Sequence, residues 1–239
     1  MKYLLLLIFI VGLVNCQNED EVDLHDKGKN LDLSNSDVIA YFPLDSSYID
    51  ESGNDNLLQP YGNPEFAEGY RNEPSTAVLL DGDDDFLVGF IGKLDTFSLS
   101  MWLLSYRYYV GEWPEWRSTV FDYSNKQVYG YIDGVSGATQ LNCEVESKPV
   151  AGADIDNVND WFHLYVAVSN DVKIYINGSL KKTVPNQDTI TYLSDIIYFG
   201  RASSDDEIEL TYFYGLIDEI RIFNRILDQT EIEELSSKL

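Results

Sequence analysis

The cleanest alternation in the chain runs from Thr96 to Leu104. Phe97, Leu99, Met101 and Leu103 fall on one side, and Thr96, Ser98, Ser100 and Trp102 on the other. A period of two is strand geometry, because successive side chains point to opposite faces of a sheet. Similar runs, broken by turn residues, occupy Val38 to Leu44, Thr76 to Leu80, Phe86 to Ile91, Trp161 to Val168, Ile196 to Phe199 and Thr211 to Phe223. Thr139, Leu141, Cys143 and Val145 alternate with Gln140, Asn142, Glu144 and Glu146, which predicts a buried, structural Cys143. Between Val172–Ile176 and Ser179–Val184, Asn177-Gly178 supplies the positive φ angles of a type I′ turn and predicts a hairpin. The one persuasive helix signal is terminal: Asp228 with Glu231 forms a capping box ahead of Ile232 and Leu235. Half-apolar strands bury their faces in pairs of sheets, so the expected class is an all-β sandwich of two antiparallel sheets with a short C-terminal helix.

The opening, MKYLLLLIFIVGLVNC, has a different texture. Lys2 precedes an apolar stretch from Leu4 to Val14, shorter than the roughly 20 residues that span about 30 Å of hydrocarbon. It reads as a secretory signal. Leu13-Val14-Asn15-Cys16 resembles a bacterial lipobox, with Asn15 where Gly, Ala or Ser is usual. The acidic run Gln17 to Glu21 resembles the surface-export tag of Bacteroidetes-type lipoproteins. The expected organisation is a signal peptide over 1–15, an acidic flexible tether over 16–36 beginning at a lipidated Cys16, and one domain over 37–239. The expected location is the outer membrane, facing outward. An ordinary signal peptide with an incidental cysteine is the alternative.

Charge narrows the partners. With 41 Asp+Glu against 16 Lys+Arg, the net charge is −25. Nucleic acids and anionic lipid surfaces are repelled, because binding them rests on Lys and Arg. Membrane contact is therefore expected only through the lipid, leaving neutral glycans, cations or protein surfaces as partners.

Several short stretches resemble one family. Ala40-Tyr41-Phe42-Pro43-Leu44-Asp45 with Asp50-Glu51-Ser52-Gly53-Asn54 looks like the opening of bacterial laminin-G-like, concanavalin A-like lectin domains. Leu80-Asp81-Gly82 with Asp85-Phe86, then Phe97 to Trp102, Asp160-Trp161-Phe162-His163, Ile174 to Gly178 and Tyr214 to Arg225 continue the likeness in order, over roughly residues 38–235. The resemblance implies a jelly roll of two curved sheets and a carbohydrate- or protein-binding module. It also suggests a structural calcium at Asp218, with Asp45, Asp50 and Asn54 as further side-chain ligands, since hard oxygen donors suit Ca²⁺. By alternation Asp218 shares a face with Tyr212, Tyr214, Leu216, Ile220 and Ile222, where a lone charge is prohibitive. The alternative is an Asp218 that caps loop amides without metal.

The remaining acidic turn, Asp81-Gly82-Asp83-Asp84-Asp85, fails the EF-hand pattern and reads as solvated. For a ligand site the expectation falls on the aromatic stretch carrying Tyr106, Tyr108, Tyr109, Trp113 and Trp116, with Trp102 as its floor. The alternative is a loop packed over a sheet. His163 reads as a structural histidine. Catalysis finds no support: β-glucanases of this architecture carry Glu-x-Asp-x-x-Glu, and Leu216 stands where the first glutamate belongs. A non-catalytic lectin-like module is expected. A protein-binding accessory of a surface assembly, or a glycoside hydrolase of the same fold, are the alternatives.

Overall fold

The computed structural model describes residues 38–94, 96–106, 117–135, 138–156, 160–186, 194–203 and 212–237. The signal-like segment, Cys16 and the acidic tether lie outside the described residues, as do Tyr108, Tyr109, Trp113 and Trp116.

The described chain is all-β with one helix. Its first strands are β1 (Val38–Phe42), β2 (Leu57–Tyr61), β3 (Glu65–Ala67), β4 (Ala77–Asp81) and β5 (Phe86–Phe90). The long β6 (Phe97–Ser105) follows, then β7 (Arg117–Tyr123), β8 (Val128–Val135), β9 (Ala138–Val145) and β10 (Lys148–Asp154). The last are β11 (Phe162–Val168), β12 (Asp171–Ile176), β13 (Ser179–Pro185), β14 (Ile196–Phe199) and β15 (Tyr214–Phe223), before helix α1 (Gln229–Ser236).

Two antiparallel sheets result. One runs β13-β12-β11-β6-β15-β4-β3, with β1 also paired to β15; the other runs β10-β9-β8-β7-β14-β5-β2. Their inner faces meet in a single core that includes Phe97, Leu99, Met101, Leu103, Val120, Phe121, Leu141, Cys143, Val145, Leu164 and Ile220. Cys143 is buried in that core, where desolvation pushes its thiol up to about 12. The Asn177-Gly178 turn joins β12 to β13 with φ of +50° and +73°. Both halves of the capping box start α1, and Ile232 and Leu235 dock it against Tyr165, Ala167 and Tyr175 on the outside of the β6-containing sheet.

One expectation changes. Period-two alternation does not carry through β15, because the register shifts between Asp218 and Arg221 and Glu219 takes φ +54°. The bulge inserts a residue, so Ile217, Ile220 and Ile222 face the core while Asp218, Glu219 and Arg221 fall outside it. Asp218 therefore pairs with Trp102 on the outer face rather than standing in the row of Ile220 and Ile222.

Candidate functional site

The bulge has a position as well as a phase. The edge of β15 opposite β6 pairs first with β4, through Tyr214 to Ile217, and then with β1, through Ile220 to Phe223. Asp218 and Glu219 lie at the changeover, with the segment between β3 and β4 folded over them. Tyr70 of that segment stacks on Trp102, and its N–H donates to Asp218 Oδ2 at 3.2 Å. Gly69 passes so close that a Cβ there would lie 2.5 Å from Asp218 Oδ2.

Asp218 is 2% exposed, and its Oδ1 has no hydrogen-bond partner. Burial, reinforced by the neighbouring Glu219 charge, pushes its carboxyl up to about 8. It lines a small pocket with Asp45, Tyr70, Arg71, Glu73, Thr76 and Glu219, and Asp45 raises its pKa further. Glu219 is balanced differently. Burial works against its charge, but Arg221 and Arg71 hold it below the usual carboxylate range, and the Tyr41 hydroxyl donates to it at 2.9 Å.

Of the four residues expected at a metal, two converge on this pocket, Asp45 and Asp218. Asp50 is engaged elsewhere: it accepts from the backbone N–H groups of Tyr41, Ser52 and Asn56, from the Ser52 hydroxyl and from the Asn56 amide. Burial alone would raise its pKa, and these donors bring it below the ordinary value. Asn54 spends its amide on the carbonyls of Val38 and Ile39. Both organise the loop after β1.

A second acidic group is tighter than its sequence suggests. Carboxylate oxygens of Asp81, Asp84 and Asp85 lie within 4.8 Å of one another, a spacing that could hold a metal ion. Asp85 is buried and accepts from Asn63 N–H at 2.6 Å, while Asp81 Oδ1 accepts from the N–H groups of Asp83, Asp84 and Asp85.

The expected aromatic site divides. Trp102 is 1% exposed, sandwiched by Tyr70 at 4.2 Å and met by the His163 ring at 5.3 Å, so it offers no open face to a ligand. Tyr106 is exposed and packs edge-on against Tyr214 at 5.1 Å. His163 is fully enclosed: its Nε2 lies 2.8 Å from the Ser100 hydroxyl, and burial followed by the Arg221 charge lowers its pKa to about 3.

A different surface gathers polar groups, half-exposed at Arg117, Asp133, Gln140 and Asn142, over tyrosines that are themselves buried, Tyr131 at 5% and Tyr129 at 1% exposed. On the outward face of the seven-stranded sheet, register aligns Arg117, Asp133 and Gln140 in one row and Thr119, Tyr131 and Asn142 in the next. Asp122, Tyr129 and Glu144 form a third. Arg117 lies 4.0 Å over the Tyr131 ring, and Tyr129 stands 5.2 Å from Tyr131. The planar polar groups are held in place: the Asn142 amide donates to Asp133 at 2.8 Å, the Gln140 amide to Asp154 at 2.6 Å, and Glu144 accepts from Tyr131. Gly152 keeps the next strand low, since a Cβ there would strike Asn142 Oδ1 at 2.7 Å. The sequence signal for this face is the polar half of the Cys143 alternation, which by itself looks like any solvated strand face.

Residues 81–233 match the family described as the concanavalin A-like lectin/glucanases superfamily. Domain 4 of AbnA, a GH43 extracellular arabinanase from Geobacillus stearothermophilus, in complex with arabinotriose, superposes with a TM-score of 0.63 at 21% identity, over 84% of this chain and 98% of that one. A botulinum neurotoxin type C structure, from work on cell entry dependent upon two ganglioside molecules, gives 0.62 at 18% identity over 84% and 50%. The binding domain of botulinum neurotoxin DC in complex with rat synaptotagmin II gives 0.63 at 19% over 84% and 51%. The chain spans about half the length of these neurotoxin chains, and at such identities the likeness is one of fold. No curated protein matches the sequence. With the family profile covering most of the sandwich and the same architecture seen around it, the chain belongs to the concanavalin A-like lectin/glucanases superfamily.

Proposed function

We propose that the chain is a non-catalytic module that captures neutral glycans on the outer face of its seven-stranded sheet. The observation that carries this reading is the half-exposed polar patch of Arg117, Asp133, Gln140 and Asn142, which register gathers over the buried Tyr131. Amides and carboxylates already fixed by their neighbours meet sugar hydroxyls with little ordering cost. A net charge of −25 favours neutral over anionic glycans. Asp218 and Glu219, the acidic residues of the strand where glucanases carry catalytic carboxylates, are 2% and 3% exposed, which favours binding over hydrolysis. The test is an array of neutral oligosaccharides that includes arabinotriose. Saturable binding, without released reducing ends and lost in Asn142→Ala, supports the proposal. Silence, or binding indifferent to that substitution, overturns it.

The same reading assigns a structural calcium to Asp45 and Asp218. The orphaned Asp218 Oδ1 fits it, as a buried carboxylate oxygen without a donor suits a hard cation. It also takes the lipid on Cys16 as an anchor holding the domain at the outer surface. No helix among the described residues is long and apolar enough to cross a membrane.

A protein partner is the second reading, favoured by an exposed apolar row. Ile49, Leu57, Phe90 and Ile196 are successive cross-strand neighbours, and Ile49 and Leu57 are 68% and 55% exposed. Co-purification of a partner, abolished by Leu57→Asp, would support it.

A further inference from the structure

Across the β6-containing sheet from the bulge, at the turn of the β12–β13 hairpin, lies a cleft that the sheet-face reading does not use. It is lined by Trp161, Asp156, Asp160, Asn177 and Lys181 against an apolar wall that includes Ile155, and encloses about 260 Å³. Its walls come from three places in the chain: Ile155 and Asp156 just after β10 with Asp160 and Trp161 just before β11, the turn of the β12–β13 hairpin, and the first residues of β13.

The hairpin tip and the start of β11 are held in place. Asn177 is bonded to His163 in both directions, its N–H donating to the His163 carbonyl at 2.9 Å and its Oδ1 accepting the His163 N–H at 2.8 Å. The next residue, Gly178, is held by the helix, for its carbonyl accepts from the Gln229 amide at 2.9 Å. Across the cleft, Asp160 Oδ1 accepts the Trp161 N–H at 2.8 Å and fixes the start of β11. The hairpin tip is thereby clamped from two sides, and a ligand would find the cleft already formed.

Its polar groups are only partly used. The Asn177 side chain spends its oxygen on His163, which leaves the amide nitrogen as a donor. Trp161 is half-buried, so part of its ring faces the cleft. Lys181 Nζ lies 3.2 Å from Asp156 Oδ2, with the Asp156 side chain 82% exposed. An ion pair so open to water contributes little to stability. At the mouth of a cleft it presents an acceptor and a donor side by side.

We propose that this cleft is a second ligand site, taking one neutral sugar ring at the end of a glycan chain. The ring stacks on Trp161, and vicinal hydroxyls are met by Asp156 and Lys181 together with the Asn177 amide. Size limits the ligand: 260 Å³ falls below the roughly 300 Å³ at which drug-sized clefts begin. Charge limits it again. Two carboxylates against one ammonium disfavour an anionic sugar, while Lys181 at the rim opposes an amine. The ligand class follows from the glycan-binding reading, but the site is separate from the sheet face, so each can fail alone.

The test uses the protein labelled with 5-fluorotryptophan, whose four tryptophans give separate ¹⁹F resonances. Trp161→Phe assigns the relevant one. Methyl glycosides of neutral hexoses and pentoses are titrated, with glycerol as a non-sugar control. The expected result is a saturable shift of the Trp161 resonance by at least one glycoside, retained in Asn142→Ala and weakened at least tenfold in Lys181→Ala. The Trp161→Phe and Lys181→Ala variants are checked for unchanged melting. No shift with any glycoside, a shift that glycerol reproduces, or one indifferent to Lys181→Ala overturns the proposal. A silent glycan array beside a responding Trp161 would remove the sheet-face reading and leave this site standing.

Discussion

Trp102 lies flat beneath Tyr70, with ring centroids 4.2 Å apart and planes 9° from parallel. The pair closes the outer face of β6 over the Asp218 pocket, so a tryptophan on a serine-bearing strand face is part of a minor core. Trp102→Ala should cost about 3–5 kcal/mol, the range for removing a buried large aromatic. Urea denaturation measures it. A loss under 1 kcal/mol, or glycan binding lost at full stability, would return Trp102 to the ligand-site role.

Glu219 occupies the bulge in a left-handed conformation and gathers two guanidinium groups and a phenol. Its carboxylate compensates Arg221, which is itself buried. Glu219→Ala strands that cation, and breaking a buried pair from one side costs about 3–5 kcal/mol. The denaturation midpoint should fall accordingly. Replacing Arg221 and Glu219 together should cost less than the sum of the single changes, a non-additivity that a double-mutant cycle reads directly.

Why the strands were legible and the pocket was not comes down to range. Alternation, the Asn177-Gly178 turn and the Asp228–Glu231 box are local, and each stands in the fold where its spacing put it. The face of Asp218 depends on one extra residue at Glu219, which carries no glycine or proline to announce a bulge. The cover over Trp102 comes from Tyr70, more than thirty residues away in sequence. The same is true of ligand chemistry. Tyr131 and Asn142 are ordinary alternating residues until register sets them side by side. Trp161 becomes part of a cleft only when the β12–β13 turn is clamped opposite it.

His163 gives the fold an acid-sensitive point. Burial, then the Arg221 charge, lowers its pKa to about 3, against an unfolded value near 6.5. The unfolded chain therefore binds the extra proton between those values. Stability from the neutral imidazole is complete above about pH 6.5 and is lost as pH falls toward 3, at up to about 1.4 kcal/mol per pH unit. His163→Gln, which keeps a polar partner for Ser100, should flatten this limb of a Tm-versus-pH curve by that amount. An unchanged limb would show that other groups set the acid transition.

Asp218 carries the opposite sign. Its folded pKa of about 8 lies above the unfolded value of 3.8, so without a cation the folded state keeps a proton that the unfolded chain releases. That contribution is full below about pH 4 and is lost as pH rises through 8. A calcium ion held by Asp45 and Asp218 would reverse the preference by stabilising the ionised carboxylate. Calcium should then raise Tm most at pH 8 and above, where no proton need be displaced, and its binding at pH 6 should release protons into a weakly buffered solution. Asp218→Asn mimics the protonated side chain and should abolish both the calcium response and the decline in stability between pH 4 and 8. A calcium response that survives in Asp218→Asn but vanishes in Asp84→Asn would move the ion to the Asp81, Asp84 and Asp85 cluster. No response to calcium or to chelator in the wild-type chain would leave Asp218 as a buried acid without a metal.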